Sequence, residues 1–157
     1  MTQRNPGRLM SEHAGIVEAP LDEVREVLLA VPTGKLHGAE IPLVIGRQDD
    51  REVVITGGPA TFTAQISGVT LTIDVDREAG WVQARGQWWW CGRFQVEEHP
   101  EGALIRQQTF NLATGLTSRL VPFTVGRSHR DNGRSVFTHV LERLTELRGW
   151  KTRPLND

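Results

Sequence analysis

Apolar residues recur along this chain with two different periods, and the switch between them marks its elements. From Val82 to Val96 the even positions are Val82, Ala84, Gly86, Trp88, Trp90, Gly92, Phe94 and Val96, while the odd ones are mostly Gln, Arg and Cys, with Trp89 the exception. A period of two predicts strand with one apolar and one wet face, either continuous or split around a bend near Gly86. The same period places Phe62, Ala64 and Ile66 together, then Val69, Leu71, Ile73 and Val75. Parity flips between these runs at Gly68, which predicts a bulge or a tight bend there. The apolar segments IPLVIG and REVVITGG predict two further strands, joined as a hairpin across Gln48, Asp49 and Asp50. HPEG, His99 to Gly102, predicts a turn into the returning strand ALIRQQTFNLA, and SEHAGIVEA alternates weakly up to Pro20.

The helical period appears twice. Leu21, Val24, Val27, Leu28 and Val31 share one face of a short helix that Pro20 opens and Pro32 ends, with Asp22 and Glu23 in its first turn. From Arg130 to Trp150, Val136, Phe137, Val140, Leu141, Leu144 and Leu147 form one stripe of a long helix. Ser128 with Asp131 reads as its capping box, and Gly149 supplies the stop. About 20 helical residues reach ~30 Å, the width of a small domain. Residues 33–40 are expected as a loop with at most one helical turn. The expected organisation is a loose tail over 1–10, one domain over 11–150 and a C-terminal tail over 151–157. Strand, short helix, about six antiparallel strands and a long helix make an α+β chain.

The segment VEAPLDEVREVLL and this element order resemble the START-related helix-grip superfamily, whose bacterial members include polyketide cyclase/dehydrase-like and lipid-transport-like proteins. In that superfamily a first strand runs through Ala-Pro into a helix, with Val four residues after the proline and an aliphatic residue four further on. Ala19, Pro20, Val24 and Leu28 occupy those places, and the order covers roughly residues 11–150. Arg25 stands where a tryptophan is often found, and the Asp that commonly follows the first helix is missing near Val31 and Pro32. The resemblance implies a helix-grip fold: a curved antiparallel sheet of about seven strands wrapped around the C-terminal helix, incompletely closed so that a cavity remains.

Bulk properties narrow the function classes. A chain of 157 residues is one domain by size and buries a substantial core. Eighteen basic against nineteen acidic residues leave a net charge of −1, with no whole-molecule field for nucleic acid. The amino terminus lacks the apolar region of a signal peptide, no run is long enough to span a membrane, and the single cysteine, Cys91, suits a reducing cytoplasm. The expected state is a cytoplasmic monomer or homodimer without integral membrane association. The histidines at 13, 37, 99, 129 and 139 show no metal-ligand spacing, and no nucleophile elbow, P-loop or dinucleotide fingerprint is present. No metal or cofactor is expected.

Candidate chemistry lies in the aromatic residues, five Trp and five Phe without Tyr. Trp88, Trp90 and Phe94, with Phe110 on the next strand and Phe137 on the long helix, converge if the even face of the sheet turns toward that helix. They either fill a core or, if the resemblance holds, wall a cavity for a hydrophobic or aromatic ligand, with Leu141 beside them. For residues 103–113 two registers are open. In one, Leu104, Phe110 and Leu112 face inward and bring Arg106 and Gln108 with them; in the other, Ile105, Gln107 and Thr109 face inward and Arg106 is solvated. With the first register the expected ligand site is Trp88, Trp90, Phe94, Arg106, Gln108, Phe110, Phe137 and Leu141. A basic cluster of Arg119, Arg127, His129, Arg130 and Arg134 is a candidate for steering an anionic head group. The alternatives to a binding protein are a cofactor-free cyclase or dehydratase resembling the polyketide branch, for which Arg106, Gln108 and His13 are the nameable polar groups, and a protein-interaction module with exposed tryptophans.

Overall fold

In the computed structural model, described over residues 8–45, 51–86, 90–111 and 125–155 with the side chains of 39 and 125–135 excepted, strand dominates. The strands are β1 (Arg8–Val17), β2 (Gly34–Leu36), β3 (Val53–Gly57), β4 (Thr61–Ile66), β5 (Val69–Asp76), β6 (Trp81–Gly86), β7 (Trp90–His99), β8 (Gly102–Asn111) and β9 (Thr152–Pro154). Among the described residues two α-helices accompany them, α1 (Leu21–Leu28) and α2 (Val125–Arg148), with one 3-10 turn at Gly38–Glu40. The nine strands form one sheet in the order β2-β3-β4-β5-β6-β7-β8-β1-β9. Every neighbouring pair is antiparallel.

The expected helix-grip arrangement of about seven strands wrapped around a long C-terminal helix is corrected by this architecture. The protein is mostly β, its sheet has nine strands, and among the described residues α2 lies against β1 and β9 at one end of the strand order. Two physical reasons account for the difference. Strands β2 and β9 have three residues each, too short to carry a period. The apolar stripe of α2 is also narrower than its sequence suggests: Phe137, Val140, Leu141 and Leu144 are buried, whereas Val136 and Leu147 are each 43% exposed. A helix with so narrow a seam covers one end of a sheet. α1 packs against β7 and β8, and its Val24 and Leu28 share one core with Leu29, Val31, Leu36, Ile41 and Val44 from the residues that follow it.

Both expected tails contribute strand. β1 begins at Arg8, and β9 pairs Thr152 with Val17 and Pro154 with Gly15. IPLVIG is not a strand: over its described residues the backbone makes a turn, from which Ile41 and Val44 still reach the core. The partner of β3 is instead β2, with Lys35 opposite Val54. The flip at Gly68 is a two-residue hairpin, with Ser67 at φ 46° and Gly68 at φ 83°, the left-handed pair that matches the twist of two antiparallel strands. The alternation from Val82 to Val96 is split into β6 and β7.

Arg25 takes on a positioning role in α1. Its Nε and Nη2 donate to the Val96 carbonyl at 3.2 and 3.0 Å, tying the helix to β7. Gly80, at φ 81°, lets the guanidinium approach, since a Cβ there would lie 2.6 Å from Arg25 Nε. No helix among the described residues is long and apolar enough to cross a membrane.

Candidate functional site

Cross-strand pairing assigns every side chain in the sheet to a face. Gly15 defines the face toward α2, because a Cβ on it would meet Leu141 Cδ1 and Phe137 Cζ at 3.1 Å. Its partner is Ile105, and the neighbouring pair is His13 with Gln107. Following pairs across the sheet, the row Val75, Val82, Phe94, Gln107 and His13 lies on this inner face, as does the row Ile73, Ala84, Gly92, Thr109 and Ser11. The outer face carries the row Asp74, Gln83, Arg93, Gln108 and Glu12.

The expected ligand site is therefore divided. Trp90 and Phe94 on β7 and Phe137 and Leu141 on α2 belong to the inner side. Arg106, Gln108 and Phe110 are on the outer face, so the inward register for Leu104 and Phe110 is corrected to the one in which Ile105, Gln107 and Thr109 face in. Trp88, Leu112 and Arg119 lie outside the described residues, and the side chains of Arg127, His129, Arg130 and Arg134 likewise. Hydrophobicity misassigns this strand because the outer face also buries apolar groups: Ile16, Cys91, Leu104 and Phe110 are all buried, yet none belongs to the main core.

Polar groups on the outer face are largely paired with one another. Arg106 donates from Nη1 to Glu12 at 3.2 Å and from Nε to Glu97 at 3.1 Å, and Gln108 Nε2 donates to the other Glu12 oxygen at 2.7 Å. Arg93, 5% exposed, donates from Nη2 to Gln83 Oε1 at 2.7 Å and stacks 4.3 Å from the Trp81 ring centre and 5.6 Å from that of Phe110. Gln83 Nε2 in turn donates to Asp74 at 3.0 Å. Burial pushes the Asp74 carboxyl up, but hydrogen bonds from Arg85, Gln83 and Thr61 and the charge of Arg85 outweigh it and hold the group below the ordinary carboxylate range. Burial pushes the Cys91 thiol up to about 11, with Arg93 and Arg85 only partly opposing it, so this is not an activated nucleophile. Such a network holds strands in register and leaves little for a ligand to satisfy.

The inner face beside α2 differs. His13 Nε2 and Gln107 Oε1 are buried with no hydrogen-bond partner, although the two residues face each other across β1 and β8. Buried polar atoms of this kind are rare because leaving one unpaired costs ~1–3 kcal/mol. The third such atom, Trp81 Nε1, is a lone donor on the outer face. Around the inner pair the surroundings are aromatic. The His13 ring stacks on Phe137 with centroids 6.1 Å apart and planes 22° apart, and Phe94 is the other cross-strand neighbour of Gln107. Half-buried Trp90 folds its indole over Gly92, where a Cβ would lie 2.7 Å from Cζ2. A glycine at 92 is thus what allows the indole to lie along the sheet. Phe94 and Phe137 thus adjoin the two unsatisfied polar atoms, and Trp90 continues an aromatic wall along the same face of β7.

Sequence reasoning named His13 only as a catalytic candidate and did not assign Gln107 to the site. The signal for both was the alternative register of residues 103–113. A separate open groove of about 470 Å³ lies near the end of α2, lined by Glu18, Thr145, Gly149, Trp150, Lys151, Thr152 and Arg153. It shares no residue with the aromatic wall, and Arg153 within it is already ion-paired to Glu101.

No family model matches the sequence, and no curated protein matches it. Among solved structures the chain is similar to TTHA0849 from Thermus thermophilus, at 13% identity over 88% of this chain and 99% of that one, with a TM-score of 0.45.

Proposed function

We propose that this protein binds an apolar or aromatic small molecule, of lipid or polyketide type, on the inner face of β7, β8 and β1 beside α2. The observation that carries this reading is the pair of buried, unpartnered polar atoms His13 Nε2 and Gln107 Oε1 beside Phe94 and Phe137, with Trp90 on the same face of β7. Apolar walls supply affinity and a few polar groups fix orientation, which is the composition of small-molecule sites generally. Burying ~300 Å² of apolar ligand gains ~7 kcal/mol before ordering costs, in keeping with micromolar or weaker binding. The reading carries with it a cytoplasmic monomer or homodimer, a setting in which the free thiol of Cys91 stays reduced.

A cyclase-type enzyme is the second reading, and one observation favours it: His13, the chain's one histidine on this inner wall among the described residues, carries an imidazole, the side chain most often used in general acid–base catalysis. Arg106 and Gln108 no longer contribute, since both bond to Glu12 on the other face. The test is a titration with a neutral phenylnaphthylamine dye. Saturable binding is expected in the parent and in Arg106→Leu, and an affinity about tenfold weaker in Trp90→Ala, each variant first shown to be folded. Loss of binding in Arg106→Leu with retention in Trp90→Ala would move the site to the outer face.

A further inference from the structure

The two unpartnered atoms also restrict the polar end of the ligand. Gln107 Oε1 is a carbonyl oxygen and can only accept, so whatever satisfies it must bring an N–H or O–H. His13 Nε2 either accepts or, when it carries the ring proton, donates. Cross-strand partners on one face of an antiparallel pair stand ~5 Å apart at Cβ, close enough for one small polar group to reach both. The described inner-face residues of β7, β8 and β1 carry no lysine or arginine apart from Arg8, which is exposed at the far end of β1 opposite Asn111. Arg93 and Arg106, the basic residues of β7 and β8, face the other way and are bound to Gln83, Glu12 and Glu97. A buried anion therefore meets no lysine or arginine among the described residues of this wall and would face the Gln107 oxygen, whereas a neutral group with one donor beside one acceptor fits both atoms.

We propose, resting on the binding reading above, that the ligand presents a neutral amide-type edge, with its N–H donating to Gln107 Oε1 and its carbonyl accepting from His13 Nε2–H. The remainder of the ligand is a flat apolar body lying against Trp90, Phe94 and Phe137. Specificity then comes from Gln107. A ligand without a donor leaves its oxygen desolvated and unpaired, a penalty that hydrogen-bonding sites use to reject close analogues.

The experiment compares biphenyl carboxamide with the methyl ester of biphenyl carboxylic acid by calorimetric titration, in the parent and in Gln107→Met. Folding of the variant is checked by its thermal transition. The parent is expected to prefer the amide by at least about tenfold, and Gln107→Met to lose that preference while keeping its affinity for the ester. On amide binding, the imidazole proton of His13 should be found on Nε2 by nitrogen-15 NMR. Equal affinities for amide and ester in the parent, or an undiminished preference in Gln107→Met, would overturn the amide edge while leaving the binding site standing. Absence of saturable binding by both probes would overturn the binding reading and the edge with it.

Discussion

Trp90 and Gly92 are two positions apart on the inner side of β7, and their relation shows how one missing methyl group shapes the candidate site. Gly92→Ala places a Cβ 2.7 Å from the Trp90 ring, so the indole must swing off the sheet. The expected outcome is a loss of ~1–3 kcal/mol in urea denaturation together with dye binding weakened as in Trp90→Ala. Unchanged binding would mean that the indole is not part of the wall. Cys91 offers a second check. Its thiol is pushed up from 9.0 to about 11 by burial, so the folded state keeps its proton where the unfolded chain begins to lose it. The stability this contributes is complete below about pH 9 and is lost as pH rises toward 11. The chain has no tyrosine, and its lysines are Lys35 and Lys151, both exposed, so few other groups titrate there. Stability of the parent should fall more steeply than that of Cys91→Ala between those values, and parallel curves would show that the thiol titrates normally.

Among the elements, the contact of α2 with β1 sets how the helix sits. Gly15 leaves room for Phe137 and Leu141, and any Cβ there lies within 3.2 Å of those side chains or of the Arg153 carbonyl. Gly15→Val should therefore destabilise by ~1–3 kcal/mol by lifting α2. Leu141→Ala should cost ~2–5 kcal/mol and exposed Glu142→Ala close to none, measured by thermal unfolding; equal effects would contradict the phase of the helix. Much at this scale was legible in the sequence. Alternation placed Phe94 and Val96 on the inner face, proline bracketed α1, and Gly149, at φ 71°, ends α2. What escaped had a physical cause in each case. A strand of three residues has no measurable period, which hid β2 and β9, and a strong apolar run at IPLVIG reflected burial of a turn.

Across the whole molecule, the informative contrast is between the two faces of the sheet. Both bury apolar side chains, and for that reason hydrophobicity did not choose the register of residues 103–113. Polar pairing separates them after the fact: outside, Glu12, Arg106, Glu97 and Gln108 satisfy one another, and inside, His13 and Gln107 each keep a buried atom unpaired. Half of the candidate site, Trp90, Phe94, Phe137 and Leu141, could be read from period alone, because those residues lie on strongly patterned elements. The polar half depended on a strand whose two faces are nearly equal in composition. The measurement that tests the account most directly is the set of intermolecular nuclear Overhauser effects between a saturating phenylnaphthylamine dye and the protein. Contacts to Phe94, Phe137, Leu141 and the His13 ring, with none to Phe110 or Arg106, are the predicted result; contacts to Phe110 and Arg106 in their place would contradict it.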